Sequence, residues 1–226
     1  MTEHSNTSAG SPADDRSPQP HVVAPLTPSQ KRERRRDNIK SIVSTALVLL
    51  LAPIIAVLLT AFVFQSYQVD GQSMQNTLFN NDRLIIWKTP VTWSHITKHP
   101  YVPNRGDIIV FTDPNLSQFG QDPSKQLIKR VIALPGEHVV VANNVVMVYN
   151  TEHPDGFNPD TSLPYDRTAR DTAGNLDLIV PAGHIFVMGD NRPDSLDSRM
   201  FGPVPLDHII GKLALRVLPV SQAKRF

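Results

Sequence analysis

Cysteine is absent from the 226 residues, which removes a disulfide framework, a thiolate nucleophile and every Cys-ligated zinc or iron–sulfur site. An excess of either charge sign is missing too. With 22 Lys and Arg against 21 Asp and Glu, the formal net charge is +1, so electrostatics lends no support to non-specific nucleic-acid binding. Metal-ligand patterns are equally thin. Of the eight histidines only His95 and His99 stand at i, i+4 spacing, but Ile96 occupies the place where a zinc-protease helix carries its Glu and Pro100 follows at once, so no metal site is expected. Asp190 opens a stretch that superficially suggests a calcium loop, yet Ser195 and Phe201 stand where its turn Gly and closing Glu belong. Arg105-Gly106-Asp107 reads as turn chemistry at the mouth of an apolar strand rather than as an adhesion tripeptide.

What the chain does have is proline, 20 residues of it, and one long apolar run. Residues 1–30 are Ser-, Thr-, Pro- and Asp-rich and offer no periodic apolar face to offset the entropy of ordering, so they are expected to be disordered. Residues 31–40 then carry six basic side chains against two acidic ones. Residues 41–64 carry no charge at all. As a helix rising about 1.5 Å per residue this run reaches roughly 36 Å, enough to cross a hydrocarbon core of about 30 Å with some tilt. A cleaved signal peptide would be shorter and would end in a small-x-small site, which 60–64 lack. The basic cluster just before the span orients the N-terminus to the cytoplasm and puts everything after Phe64 outside.

Beyond the span the pattern turns short and β-like. Residues 83–88, 107–111, 128–134 and 184–188 are brief runs rich in β-branched side chains, bounded by Asn, Gly and Pro. Residues 139–141 and 145–149 flank Asn143-Asn144, a pair that tolerates left-handed backbone and so predicts a hairpin. Residues 150–178 read as a polar excursion on that hairpin. No helix of convincing length is expected after the span, and the domain should be mainly β.

Two residues carry chemistry less easily dismissed. Gly71-Gln72-Ser73-Met74-Gln75 has half of a nucleophile elbow, but Gln75 replaces the second Gly, and Asn76 stands where a β-lactamase needs Lys. Lys129 lies between apolar runs in Leu127-Ile128-Lys129-Arg130-Val131-Ile132, where an ammonium must either snorkel to solvent or lose its proton. Residue types alone leave those alternatives open.

Five ordered blocks go further. Residues 68–78 (Gln-Val-Asp-Gly-Gln-Ser-Met-Gln-Asn-Thr-Leu), 81–86, 105–111, 128–137 (Ile-Lys-Arg-Val-Ile-Ala-Leu-Pro-Gly-Glu) and 189–199 (Gly-Asp-Asn-Arg-Pro-Asp-Ser-Leu-Asp-Ser-Arg) resemble, in order and spacing, the boxes of bacterial type I signal peptidases. The resemblance implies a membrane-bound serine endopeptidase that cleaves signal peptides through an acyl-enzyme, with Ser73 as nucleophile and Lys129 as general base, needing neither metal nor cofactor. It implies that Ser195 orients the lysine, that Asp197 and Arg199 form a supporting ion pair, and that backbone groups at Ser73 and Gly71 face the oxyanion. Gly71 lacks the side-chain hydroxyl that some relatives have there. Asn76 replaces the family's Pro, which loosens the backbone after the nucleophile.

By the same resemblance Tyr67, Val69, Leu78 and Ile128 line pockets for small residues of an extended substrate, the partners being exported preproteins with small-x-small cleavage sites and the lipid bilayer, with no nucleic acid and a monomeric enzyme. The implied organisation is a disordered basic cytoplasmic tail (1–40), a transmembrane helix (41–64), a catalytic β core (66–136 and 182–220) and an inserted hairpin with its loop excursion (137–181). The place would be the cytoplasmic membrane, single-pass, with the catalytic domain extracytoplasmic. Ser73 lies nine residues beyond Phe64, a reach of at most roughly 30 Å when extended, which suits a substrate still threaded in the bilayer. Rival expectations are a protease of the same dyad dedicated to one exported substrate, and an inactive membrane-tethered domain that binds extended peptides.

Overall fold

Lys, Arg and Glu are good helix formers, and no Gly or Pro interrupts the chain between Pro28 and Pro53. In the computed structural model, which describes residues 27–75, 77–162 and 171–226, helix α1 accordingly runs Pro28–Phe62. It opens with Lys31 N–H on Thr27 C=O at 3.0 Å, and Pro28 suits a first turn because its missing N–H would have no partner there. This corrects the expectation of disorder for residues 28–40: the basic run is helical and continuous with the apolar one. The stretch Arg34–Phe62 is long and apolar enough to cross a membrane, and its apolar 18-residue window has a mean hydropathy of 2.8 with none of that window buried. It ends two residues before the expected Phe64, because Phe64 is already paired with Trp87 in a sheet. Residues 1–26 and Asn76 lie outside the described residues.

The chain divides into two compact units, 1–52 and 53–226. The first is, over its described part, the N-terminal portion of α1. The second carries the sheets, built from β1 (Phe64–Gln68), β2 (Arg83–Trp87), β3 (Ile108–Thr112), β4 (Gln126–Ala133), β5 (His138–Ala142), β6 (Val145–Tyr149), β7 (Leu176–Ile179), β8 (His184–Met188), β9 (Val204–Pro205), β10 (Ile209–Leu218) and β11 (Lys224–Arg225). It is mainly β, as expected. The larger sheet has the order β1-β2-β10-β3-β4-β8-β9, with β11 alongside β10, so pairing reaches beyond residues 66 and 220 at both ends. Helix α2 (Thr89–Thr97) was not anticipated. Pro90 starts it and Lys98, at φ 57°, ends it in the left-handed region.

Strand β3 is buried on both faces because it is central, between β10 and β4. Its Ile109 and Phe111 pack with Val131, Ile185 and Val187 into one core, while Ile108 and Val110 on the opposite face meet Met74, Leu78, Leu84 and Ile86 in another. Strand β4 does two jobs. Residues 126–130 pair with β3, and pairing with β8 begins only at Arg130, so the backbone of 126–129 keeps one edge uncovered.

Strands β6, β5 and β7 form a separate three-stranded sheet around Val139, Val141, Val146 and Val148. Asn143 and Asn144 link β5 to β6 at φ 51° and 64°, the conformation that a two-residue hairpin turn demands and that an Asn side chain tolerates. From β6 the chain leaves through Phe157, bridged to Val148, into the short helix α3 (Pro159–Ser162).

Candidate active site

The turn that presents Ser73 is tied down from three directions. Upstream, Val69 exchanges hydrogen bonds with the 81–82 backbone, its N–H donating 2.9 Å to Asp82 C=O and its C=O accepting 2.9 Å from Asn81 N–H. Downstream, Leu78 N–H reaches Met74 C=O at 2.8 Å, and both side chains are wholly buried anchors. From across the fold, Asn191 donates its backbone N–H to Ser73 C=O at 3.0 Å and its side-chain amide to Gln72 C=O at 3.1 Å. Gly71, at φ 106°, makes the entry bend.

Lys129 approaches from the middle of β4, opposite Ile109, and is only 3% exposed. Its Nζ lies 2.8 Å from Ser73 Oγ and 2.9 Å from Ile128 C=O. Burial is the largest influence on this amine and lowers its pKa from 10.5 to about 8. Asp197 and Asp190 pull it back up, and Lys125 pushes it down further. A neutral amine in this position has a lone pair for the Ser73 proton, whereas an ammonium has only donors.

The residues expected to assist divide in two. Asp197 and Arg199 do form an ion pair, Nε to Oδ1 at 2.9 Å, and Asp197 Oδ2 also accepts from Gly189 N–H at 3.1 Å. Asp197 caps helix α4 (Ser198–Phe201) as well. Ser195 makes no hydrogen bond to the lysine: its Oγ is buried and has no hydrogen-bond partner among the described residues. It sits against Gly189, whose close approach to Ser195 Oγ and Ser73 C=O leaves no room for a side chain.

The oxyanion donors need a similar correction. Gly71 N–H is occupied, donating to Asn80 Oδ1 at 3.0 Å, which removes the backbone donor expected there. Ser73 N–H has no partner among the described residues.

Alongside Ser73 runs a cleft of about 450 Å³ lined by residues 67–73, 125–129, Gln121, Asp194 and Leu196, with Leu84 and Val110 at its floor. Of the four residues expected at the substrate pockets, Tyr67, Val69 and Ile128 line this cleft. Leu78 does not, being fully buried in the core beneath with Met74 and Leu84. The cleft has the uncovered edge of β4 on one side and β1, a sheet edge that pairs only with β2, on the other. Sequence reasoning missed Gln121, Lys125 and Asp194, polar residues of loops whose positions no periodicity fixes. It also missed the buried pair Arg130–Asp190, Nε to Oδ1 2.8 Å and NH2 to Oδ2 2.6 Å, although both residues lie in the quoted blocks.

Among the described residues no three His, Asp or Glu side chains converge to hold a metal. His95 lies on α2 and His99 beyond its end, with Nδ1 near Thr97 C=O at 2.9 Å, so the two do not share a helix face.

A family model described as signal peptidase, peptidase S26, matches residues 42–218. A probable signal peptidase I-1 of Synechocystis sp. is 38% identical over 177 residues, covering 77% of this chain and 82% of that protein. A signal peptidase I of Leptolyngbya laminosa is 35% identical over 177 residues, covering 76% of this chain and 77% of that protein. One of Bacillus caldolyticus is 34% identical over 171 residues, covering 73% and 85% respectively.

Proposed function

The chain belongs to the signal peptidase family, peptidase S26, and on that premise we propose that Ser73 and Lys129 are the catalytic dyad of a type I signal peptidase. The activity is that of a serine endopeptidase cleaving signal peptides from preproteins, and the apolar helix α1 is its membrane anchor. One observation carries the site assignment: a buried amine with its pKa near 8, placed 2.8 Å from a serine hydroxyl. At pH 7 such an amine is neutral in roughly a tenth of molecules, against fewer than about one in a thousand for an ordinary lysine.

Neutral Lys129 takes the proton from Ser73 Oγ as the oxygen attacks the scissile carbonyl carbon, and Ser73 N–H donates to the oxyanion that forms. Collapse breaks the C–N bond. The lysine's new proton leaves with the amine of the mature protein, and an ester joins the signal peptide to Ser73. Lys129, neutral again, deprotonates a water that attacks the ester, which releases the signal peptide's carboxylate and restores the serine. Both relayed protons pass through Lys129, and the released acid ionises to solvent.

The substrate lies extended in the cleft as an added strand, its backbone groups meeting the edges of β1 and of residues 126–128. Tyr67, Val69 and Ile128 close off the space for side chains near the cut, so small residues fit there. The enzyme acts as a monomer in the cytoplasmic membrane, its basic N-terminal segment cytoplasmic and its β domain on the far side. The test is preprotein cleavage in detergent by wild type, Ser73→Ala and Lys129→Ala. Loss of cleavage in both folded variants is expected, and full turnover in either ends the assignment.

A further inference from the structure

Arg192 is 1% exposed, and its two terminal guanidinium nitrogens are held from outside its own loop while Nε is held within it. NH1 donates to Asp160 Oδ2 at 2.6 Å and to Thr172 Oγ1 at 2.5 Å, NH2 donates to Asp160 Oδ1, and Nε donates to Gly189 C=O at 3.1 Å. Asp160 and Thr172 belong to the excursion from the second sheet, and both are fixed to that sheet. Asp160 N–H is held by Asn158 Oδ1 at 2.8 Å. Just before it, Phe157 and Val148 exchange two backbone hydrogen bonds of 2.9 Å, and Thr172 N–H reaches Asn144 C=O in the hairpin turn at 2.7 Å.

On the other side of Arg192 stands the nucleophile. Its neighbour Asn191 holds Ser73 C=O and Gln72 C=O, and Gly189 packs against that same Ser73 carbonyl. A buried ion pair is a weak source of stability, since desolvation offsets most of the attraction, and its best-attested use is to fix one element in register with another. Here the elements in register are the hairpin sheet and the 189–192 backbone that grips Ser73.

We propose that Asp160, with Thr172, is a positioning residue for Ser73, acting through Arg192 and Asn191. The hairpin sheet and its excursion are then part of the site's framework. This rests on Ser73 being the nucleophile.

The test is a double-mutant cycle on preprotein cleavage with Asp160→Asn, Asn191→Ala and their combination, kcat being normalised to active sites titrated with an acylating inhibitor. Misplacing a nucleophile by a fraction of an ångström predicts roughly a tenfold or greater fall in kcat for Asp160→Asn with KM within about twofold of wild type. Because both residues act on one path, the double variant should turn over no more than about twofold more slowly than the slower single one. Multiplicative losses, wild-type kcat in Asp160→Asn, or a loss confined to the fraction of folded enzyme would overturn the proposal. If Asp160→Asn does not fold, Thr172→Val takes its place in the cycle under the same criteria. Ser73→Ala, measured in parallel, separates the two readings: turnover in that variant removes the nucleophile assignment itself, whereas its inactivity beside an unimpaired Asp160→Asn removes only the positioning role.

Discussion

Replacing Lys129 by Met should make the protein more stable at neutral pH and less stable at high pH. In the fold the amine has its pKa lowered from 10.5 to about 8, chiefly by burial. Below pH 8 both folded and unfolded chains carry the proton, and the folded state bears the whole cost of a desolvated ammonium, about 3 kcal/mol for that shift. Between pH 8 and 10.5 only the unfolded chain still binds the proton, so stability rises with pH, and the cost has nearly vanished by pH 10.5. Methionine removes this titration and fills similar volume, but it forfeits hydrogen bonds to Ser73 Oγ and Ile128 C=O, together about 2 kcal/mol. Lys129→Met is therefore expected to be about 1 kcal/mol more stable than wild type at pH 7 and about 2 kcal/mol less stable at pH 10.5. Urea unfolding of both full-length chains in the same detergent at the two pH values measures this, with other titrating groups cancelling between them. An offset between the variants that stays constant across that range would show that the amine is not desolvated in the fold, and the proposed base would lose its physical ground.

Three further expectations concern other residues. Gly189→Ala would drive a methyl into Ser195 Oγ and the Ser73 carbonyl; since backbone cannot rotate away, kcat should drop roughly 100-fold, and an alanine variant with normal turnover would contradict the packing. Lys125 lines the cleft and lowers the Lys129 pKa, so Lys125→Glu should move the acid limb of the kcat/KM profile to higher pH, with the displacement shrinking at about 1 M salt as screening sets in; a move to lower pH would refute the electrostatic reading. In the hairpin turn Asn144 holds φ at 64°, so Asn144→Val should cost about 1–2 kcal/mol by urea titration while Asn144→Gly costs nothing, and equal midpoints for the two would mean the turn is not left-handed.

The features legible in the sequence were those set by neighbours along the chain. An uncharged run had to become a span-length helix, and Asn143-Asn144 between two valine-rich runs had to become a tight turn. What escaped depended on competition between local preferences or on contacts across the fold. Composition assigned residues 28–40 to disorder, yet the same Lys, Arg and Glu side chains extend a helix once an adjacent apolar run has nucleated it. Leu78 was expected to line a pocket on the resemblance alone, and the tertiary packing turns it inward against Leu84 and Ile86. Gly71 looked like an open amide donor until Asn80 folded back over it. Neither Asp160 nor Thr172 lies in any of the five blocks, and only the second sheet's placement brings them to Arg192.

The arrangement of charge around Lys129 explains how the proposed base keeps a lowered pKa beside two carboxylates. Asp190 and Asp197 both act to raise its pKa, and an unpaired anion in a low-dielectric site would hold the amine protonated and useless as a base. Neither is unpaired. Arg130 grips Asp190 through two hydrogen bonds, while Thr77 Oγ1 donates to the same carboxylate. Arg199 grips Asp197 through two more, with Gly189 N–H as a further donor. Each carboxylate's field is thus largely spent on its own arginine, which leaves desolvation as the dominant influence on the lysine. The same ion pairs fix the 189–199 backbone that holds Ser73 in place. Orientation of the proposed nucleophile and neutrality of its proposed base are thereby two consequences of one charged framework, which accounts for the arginines concentrated around an amine that must be uncharged to act as a base.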